Sequence, residues 1–105
     1  MERPWTIRYF TYDHLPEGPL RECSSKFAAV ADDLFYQSND ALENYQDIFE
    51  WIQANIPDNK ERAVAIKKLK QAYSYWVVCK YNRGCRKLLE AKDCAVRALL
   101  PVSQL

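Results

Sequence analysis

The sequence predicts an all-α protein: a long antiparallel helical hairpin with a third C-terminal helical segment and an extended N-terminal arm. Three observations carry this. Beyond residue 20, apolar residues recur at intervals of three and four, the spacing of one helix face. The chain has 2 glycines in 105 residues, too few for the many tight turns of an all-β protein. Its prolines fall where the periodic stretches begin or end. Hydrophobic residues make up 49% and charged residues 28%, which excludes a disordered chain and leaves one domain with a real core.

Residues 1–19 read as the arm, because Pro4, Pro16, Gly18 and Pro19 break any periodicity. Residues 20–105 read as the helical-hairpin domain, with helices at about 20–54, 60–82 and 85–100. Leu20, Cys23, Phe27, Val30, Ala31 and Leu34 form the first stripe, and Leu42, Tyr45, Phe49 and Ile52 continue it. Ser38-Asn-Asp-Ala could end one helix and start another, since Asp40 and Glu43 have capping-box spacing. The register carries across it, which favours one helix of about 35 residues and about 50 Å. Trp51 and Tyr75 fall off the stripes, which marks them as interface or ligand contacts.

Ile56-Pro-Asp-Asn59 stops that helix, and Asp58 stands three residues before Glu61 as the next start. The following stripe is Ala65, Ile66, Leu69, Ala72, Tyr73, Trp76 and Val77. Asn82-Arg-Gly84 resembles a C-terminal cap with Gly84 in the left-handed conformation; alternatively Gly84 only kinks a continuous helix. The last segment carries Leu88, Ala91, Ala95, Ala98 and Leu99. Lys68-Leu-Lys-Gln-Ala72 and Lys87-Leu-Leu-Glu-Ala91 share a Lys-Leu-x-x-Ala pattern, which helical composition alone can produce.

A formal charge of +1 gives no global attraction to a nucleic-acid polymer, so any anion site must be a local cluster. No stretch approaches transmembrane length and Met1-Glu-Arg-Pro opens without an apolar signal region, so a cytoplasmic protein without membrane contact is expected. Cys23, Cys79, Cys85 and Cys94 are expected as free thiols, mostly small hydrophobes in helices. Their spacings, and that of His14 to Cys23, match no metal-ligand pair. No serine elbow or glycine-rich loop accompanies His14 and Asp13, so no catalytic residue, metal or cofactor is assigned.

The arm holds the chemistry that remains. Trp5, Tyr9, Phe10 and Tyr12, with Arg8 and His14 among them, suit a planar ring and an anion. Aromatic stacking is worth roughly 1–3 kcal/mol per base, and arginine adds charge-assisted bonds to phosphate. The plainer reading is that these rings pack the arm onto the helices. Arg21, Ser25 and Lys26 lie together on the first helix, with Arg21 and Ser25 one turn apart. They make either a phosphate seat or a solvated basic face balanced by Glu17 and Glu22. Lys67, Lys68 and Lys70, and Arg86, Lys87, Lys92 and Arg97 near the C-terminus, are surface charge by default.

Tyr9-Phe-Thr-Tyr-Asp-His-Leu-Pro-Glu-Gly-Pro-Leu-Arg-Glu-Cys-Ser-Ser-Lys-Phe27 resembles the opening of small phage proteins with a helical-hairpin domain. Glu61-Arg-Ala-Val-Ala-Ile-Lys-Lys-Leu-Lys-Gln-Ala-Tyr-Ser-Tyr-Trp76 and Leu88-Leu-Glu-Ala-Lys-Asp-Cys-Ala-Val-Arg97 resemble that domain's second helix. The family is that of phage sponges for immune signalling nucleotides. It includes the cyclic-dinucleotide sponges that blunt CBASS defence and the related sponges for cyclic ADP-ribose signals.

The resemblance implies an anti-defence, immune-evasion protein acting in the cytoplasm of an infected bacterium. It would be a homo-oligomer of hairpins, often a hexamer, holding a cyclic oligonucleotide or cyclic ADP-ribose-type ligand uncleaved between protomers. Tyr12 would stack a base, Arg21 and Lys26 would meet phosphates, and Arg97 or Lys92 would join them. With His14 and Ser25 these are the ligand-binding candidates. Lys26 fits loosely, its spacing from Tyr12 being off the family pattern. The chain also departs from the family at 35–53 and 73–86, which read as extra turns. The rival reading is a small helical interaction protein that binds and inhibits a host or phage protein.

Overall fold

A computed structural model describes residues 12, 14–36 and 40–99. These form four α-helices, and no strand occurs among the described residues: α1 (Pro19–Tyr36), α2 (Ala41–Asn55), α3 (Lys60–Val77) and α4 (Tyr81–Leu99). The all-α class and the antiparallel hairpin organisation are as the sequence predicts. The long first helix is not. α1 ends at Tyr36, and α2 runs back along it: Lys26 pairs with Asp47 at 2.7 Å, and Asn44 hydrogen-bonds Asp33 farther along α1.

The remaining pairs extend the same alternation. Tyr45 meets Tyr73 with ring centroids 4.7 Å apart, and Phe49 receives the Lys70 ammonium over its face, so α2 and α3 are antiparallel. Glu61 pairs with Arg97 and Lys68 with Glu90, equal steps in opposite directions on α3 and α4. α4 then packs against α1 and closes the ring of neighbours. The result is an up-and-down four-helix bundle measuring 40 × 26 × 20 Å. Short connections place the α1–α2 and α3–α4 turns at one end and the α2–α3 turn at the other.

Phe27, Ile48, Ile52, Leu69 and Leu88 fill the centre and are fully buried. Each such side chain contributes about 1.5–3 kcal/mol by leaving water. Small residues (Ala65, Ala72, Gly84, Ala91 and Ala95) line the α3–α4 seam and its surroundings, so those backbones approach closely. A Cβ on Gly84 would lie 3.2 Å from the Ala72 carbonyl oxygen. Aromatic rings separate α2 from α3 instead, with Tyr73 bridging Tyr45 and Trp76.

Helix ends correct three expectations. Gly84 lies inside α4, and the left-handed cap of α3 is Cys79, with φ +64°. There the Lys80 amide donates to the Tyr75 carbonyl (2.8 Å) and the Cys79 amide to that of Trp76 (2.9 Å), the paired bonds of a Schellman motif. Asn59, not Asp58, caps α3; its side chain accepts from the Arg62 amide at 2.8 Å. The Asp40 side chain makes no capping bond to α2. Trp51, marked by the sequence as an interface or ligand contact, is buried at 8% exposure, while Leu42, placed on the apolar stripe, is 44% exposed.

Candidate functional site

The sequence candidates divide by position. Trp5, Arg8, Tyr9 and Phe10 lie outside the described residues. Tyr12 does not, and a turn in which the Leu15 amide donates to the Tyr12 carbonyl (3.0 Å) brings its ring half-buried against the core. Gly18 follows at φ +145°, a backbone state that only glycine adopts without strain, and its carbonyl accepts the Glu22 amide as α1 begins. This turn into the helix creates a shallow groove of about 320 Å³ lined by Tyr12, Glu17, Gly18, Arg21, Glu22 and Ser25.

Three of the seven candidates therefore meet: Tyr12, Arg21 and Ser25. Arg21 and Ser25 stand one turn apart on the face that Tyr12 flanks. Ser25 Oγ donates to the Glu22 carbonyl at 2.9 Å, which leaves its lone pairs to accept from a ligand. Glu17 and Glu22, read from sequence as balancing charge, are part of the wall. The groove offers an aromatic face, one guanidinium and two carboxylate acceptors. That set can stack a ring, hold one anionic group and accept from hydroxyl or amine hydrogens.

The other four stand apart from it. His14 is exposed in the turn and does not line the groove. Lys26 is one residue beyond Ser25, yet its ammonium reaches away to Asp47 on α2. Arg97 pairs with Glu61 through Nε at 3.3 Å and donates from Nη2 to Cys94 Sγ at 3.2 Å. Lys92 is half-buried on α4, where burial pushes its ammonium below the ordinary lysine range; Asp93 and the Cys23 thiol oppose that shift. Lys26 and Arg97 thus tie α1 to α2 and α4 to α3 within the chain.

No protein-family model matches the chain, and no curated protein or solved structure matches it either.

Cys23, Cys85 and Cys94 are buried and Cys79 is exposed, all as free thiols. Burial pushes the Cys23 thiol up to about 12, against the pull of Lys92. It pushes Cys85 up to about 11, so both are poor nucleophiles and poor metal ligands near neutrality. Among the described residues no cluster of three histidine, cysteine or carboxylate side chains could hold a metal ion. No described helix is long and apolar enough to cross a membrane.

Proposed function

We propose that this protein binds a cyclic nucleotide signal and holds it uncleaved, as the phage sponges it resembles do, and so acts against a nucleotide-triggered bacterial defence. The observation that supports the reading is the convergence of Tyr12, Arg21 and Ser25 in one groove at the start of α1. The Tyr12 ring stacks the base, Arg21 meets a phosphate, and Glu17 and Glu22 accept from ribose hydroxyls or the exocyclic amine. The groove is shallow and open to one side, which suits a site completed by a second protomer. Sequestration needs no general acid, base or nucleophile; the free ligand concentration falls by mass action.

Calorimetric titration with cyclic di- and trinucleotides and cyclic ADP-ribose isomers tests this, followed by heat release and chromatography of the ligand. Tight binding with intact ligand recovered is the expected result. Tyr12→Ala and Arg21→Ala should each weaken binding by about 1–3 kcal/mol, roughly five- to 150-fold, while the helical circular dichroism is unchanged. Unchanged affinity in both variants sinks the assignment of the groove.

One observation favours the rival reading of a protein-binding module. Tyr36 and Leu42 near the α1–α2 turn, and Val77 and Val78 at the α3–α4 turn, are large apolar residues left exposed at the same end of the bundle. A chain that binds no nucleotide in the panel but pulls down a polypeptide through this end would establish that reading instead.

A further inference from the structure

A second groove, basic in its lining, is on the opposite part of the chain, along α3. It encloses about 660 Å³, within the range of small-ligand sites. Lys67, Lys70, Gln71, Ser74 and Tyr75 project into it from α3, and Lys87 enters from α4. Their spacing of three and four puts the α3 members on one helix face. No carboxylate lines the groove, although the chain as a whole carries only +1.

The lysines elsewhere show what is unusual here. Lys26 and Lys68 each pair with a carboxylate at 2.7 and 2.8 Å. Among the described residues no carboxylate pairs with Lys67 or Lys70. Lys70 lies 5.6 Å from the centre of the Phe49 ring, a contact that orients its ammonium without neutralising it. Lys87 touches Glu90 only at 3.6 Å, and that carboxylate oxygen is already held by Lys68. Three lysines therefore line one groove with little internal compensation.

A second observation is the half-buried Tyr75 ring, which lines the same groove and adds a flat apolar surface beside the lysines.

From these residues we infer that the α3 groove is a separate binding site for a linear nucleoside triphosphate. The triphosphate chain, with about four negative charges, sets against Lys67, Lys70 and Lys87; a cyclic dinucleotide, with one charge per phosphodiester, matches that density less well. The Tyr75 ring gives the base a stacking face, and the Ser74 hydroxyl, which already donates to the Lys70 carbonyl at 3.1 Å, accepts from a sugar hydroxyl or base amine. The site shares no lining residue with the Tyr12 groove, so either can fail without the other.

Amide chemical-shift mapping of the ¹⁵N-labelled protein, titrated with ATP and in parallel with inorganic tripolyphosphate, tests the site. The expected result is saturable shifts confined to residues 63–75 and 87, with ATP the tighter ligand. Lys67→Gln combined with Lys70→Gln should weaken ATP by about tenfold or more, and Tyr12→Ala should leave ATP unchanged. Both lysines are at the surface of α3, and the spectrum of the variant itself reports whether the bundle is intact. Shifts that never saturate, that spread over lysines all around the surface, or that persist in the double variant would overturn the proposal. Equal affinity for ATP and tripolyphosphate would remove the nucleoside from it.

Discussion

Cys79 holds the left-handed cap of α3 with a side chain that the conformation disfavours. Only glycine occupies that region without a Cβ clash, so Cys79→Gly should stabilise the protein by about 1 kcal/mol, read as a shift of the urea midpoint. A midpoint that is unchanged or lower would mean that the thiol makes compensating contacts. The buried thiols act through pH. Cys23 is raised from 9.0 to about 12 and Cys85 from 9.0 to about 11. Above pH 9 the unfolded chain releases these protons while the folded one retains them, so unfolding is favoured as pH rises. At pH 10 each thiol should cost about 1.4 kcal/mol of stability relative to pH 8. Lys92, shifted down, works in the opposite direction over the alkaline range. Urea melts at the two pH values should therefore show a loss that Cys23→Ala with Cys85→Ala largely abolishes, whatever cavity penalty that variant carries at both.

At the scale of helices, what was legible in the sequence was periodicity, and what was not was a change of direction. α3 and α4 present most of the stripe the sequence marks, with Ala65, Leu69, Ala72, Leu88, Ala91 and Ala95 inward, but Val77 at the end of α3 is 56% exposed. In α2 the stripe is rotated. Extending the α1 register across residues 38–40 puts Leu42 inside and Trp51 outside. The chain instead reverses there, and Ala41, Ile48, Trp51 and Ile52 turn to the core. A hairpin and a straight helix present nearly the same spacing when both inward faces meet one core, so the pattern alone cannot separate them. Gly84 misled for a related reason: glycine serves close helix approach as well as helix ends, and only the neighbouring Ala72 carbonyl tells which. In the candidate site, Arg21 and Ser25 were readable because they share a helix turn. Lys26 and Arg97 were not, since their partners Asp47 and Glu61 are 21 and 36 residues away.

For the bundle as a whole, the seams between helices differ in kind. The small residues between α3 and α4 let backbone approach backbone, whereas α2 faces α3 across a layer of rings with an open groove of about 490 Å³ beside Tyr45, Phe49 and Lys70. α2 is accordingly secured mainly along one flank, by α1, and its link to α3 depends on side chains rather than on close backbone contact. Such a helix is the one that can lift away while its three neighbours remain joined through α4. Amide hydrogen exchange should then divide the molecule into two populations. The interior amides of α2 should exchange through a partial opening at a free energy below that of global unfolding, while those of α4 should exchange only when the whole molecule unfolds. Equal protection in α2 and α4 would show that the ring layer binds as firmly as the alanine seam. If α2 is the looser element, the exposed Leu42 at its first turn and the Phe49 ring at the groove belong to a door, hinged on α1, through which the interior can be reached.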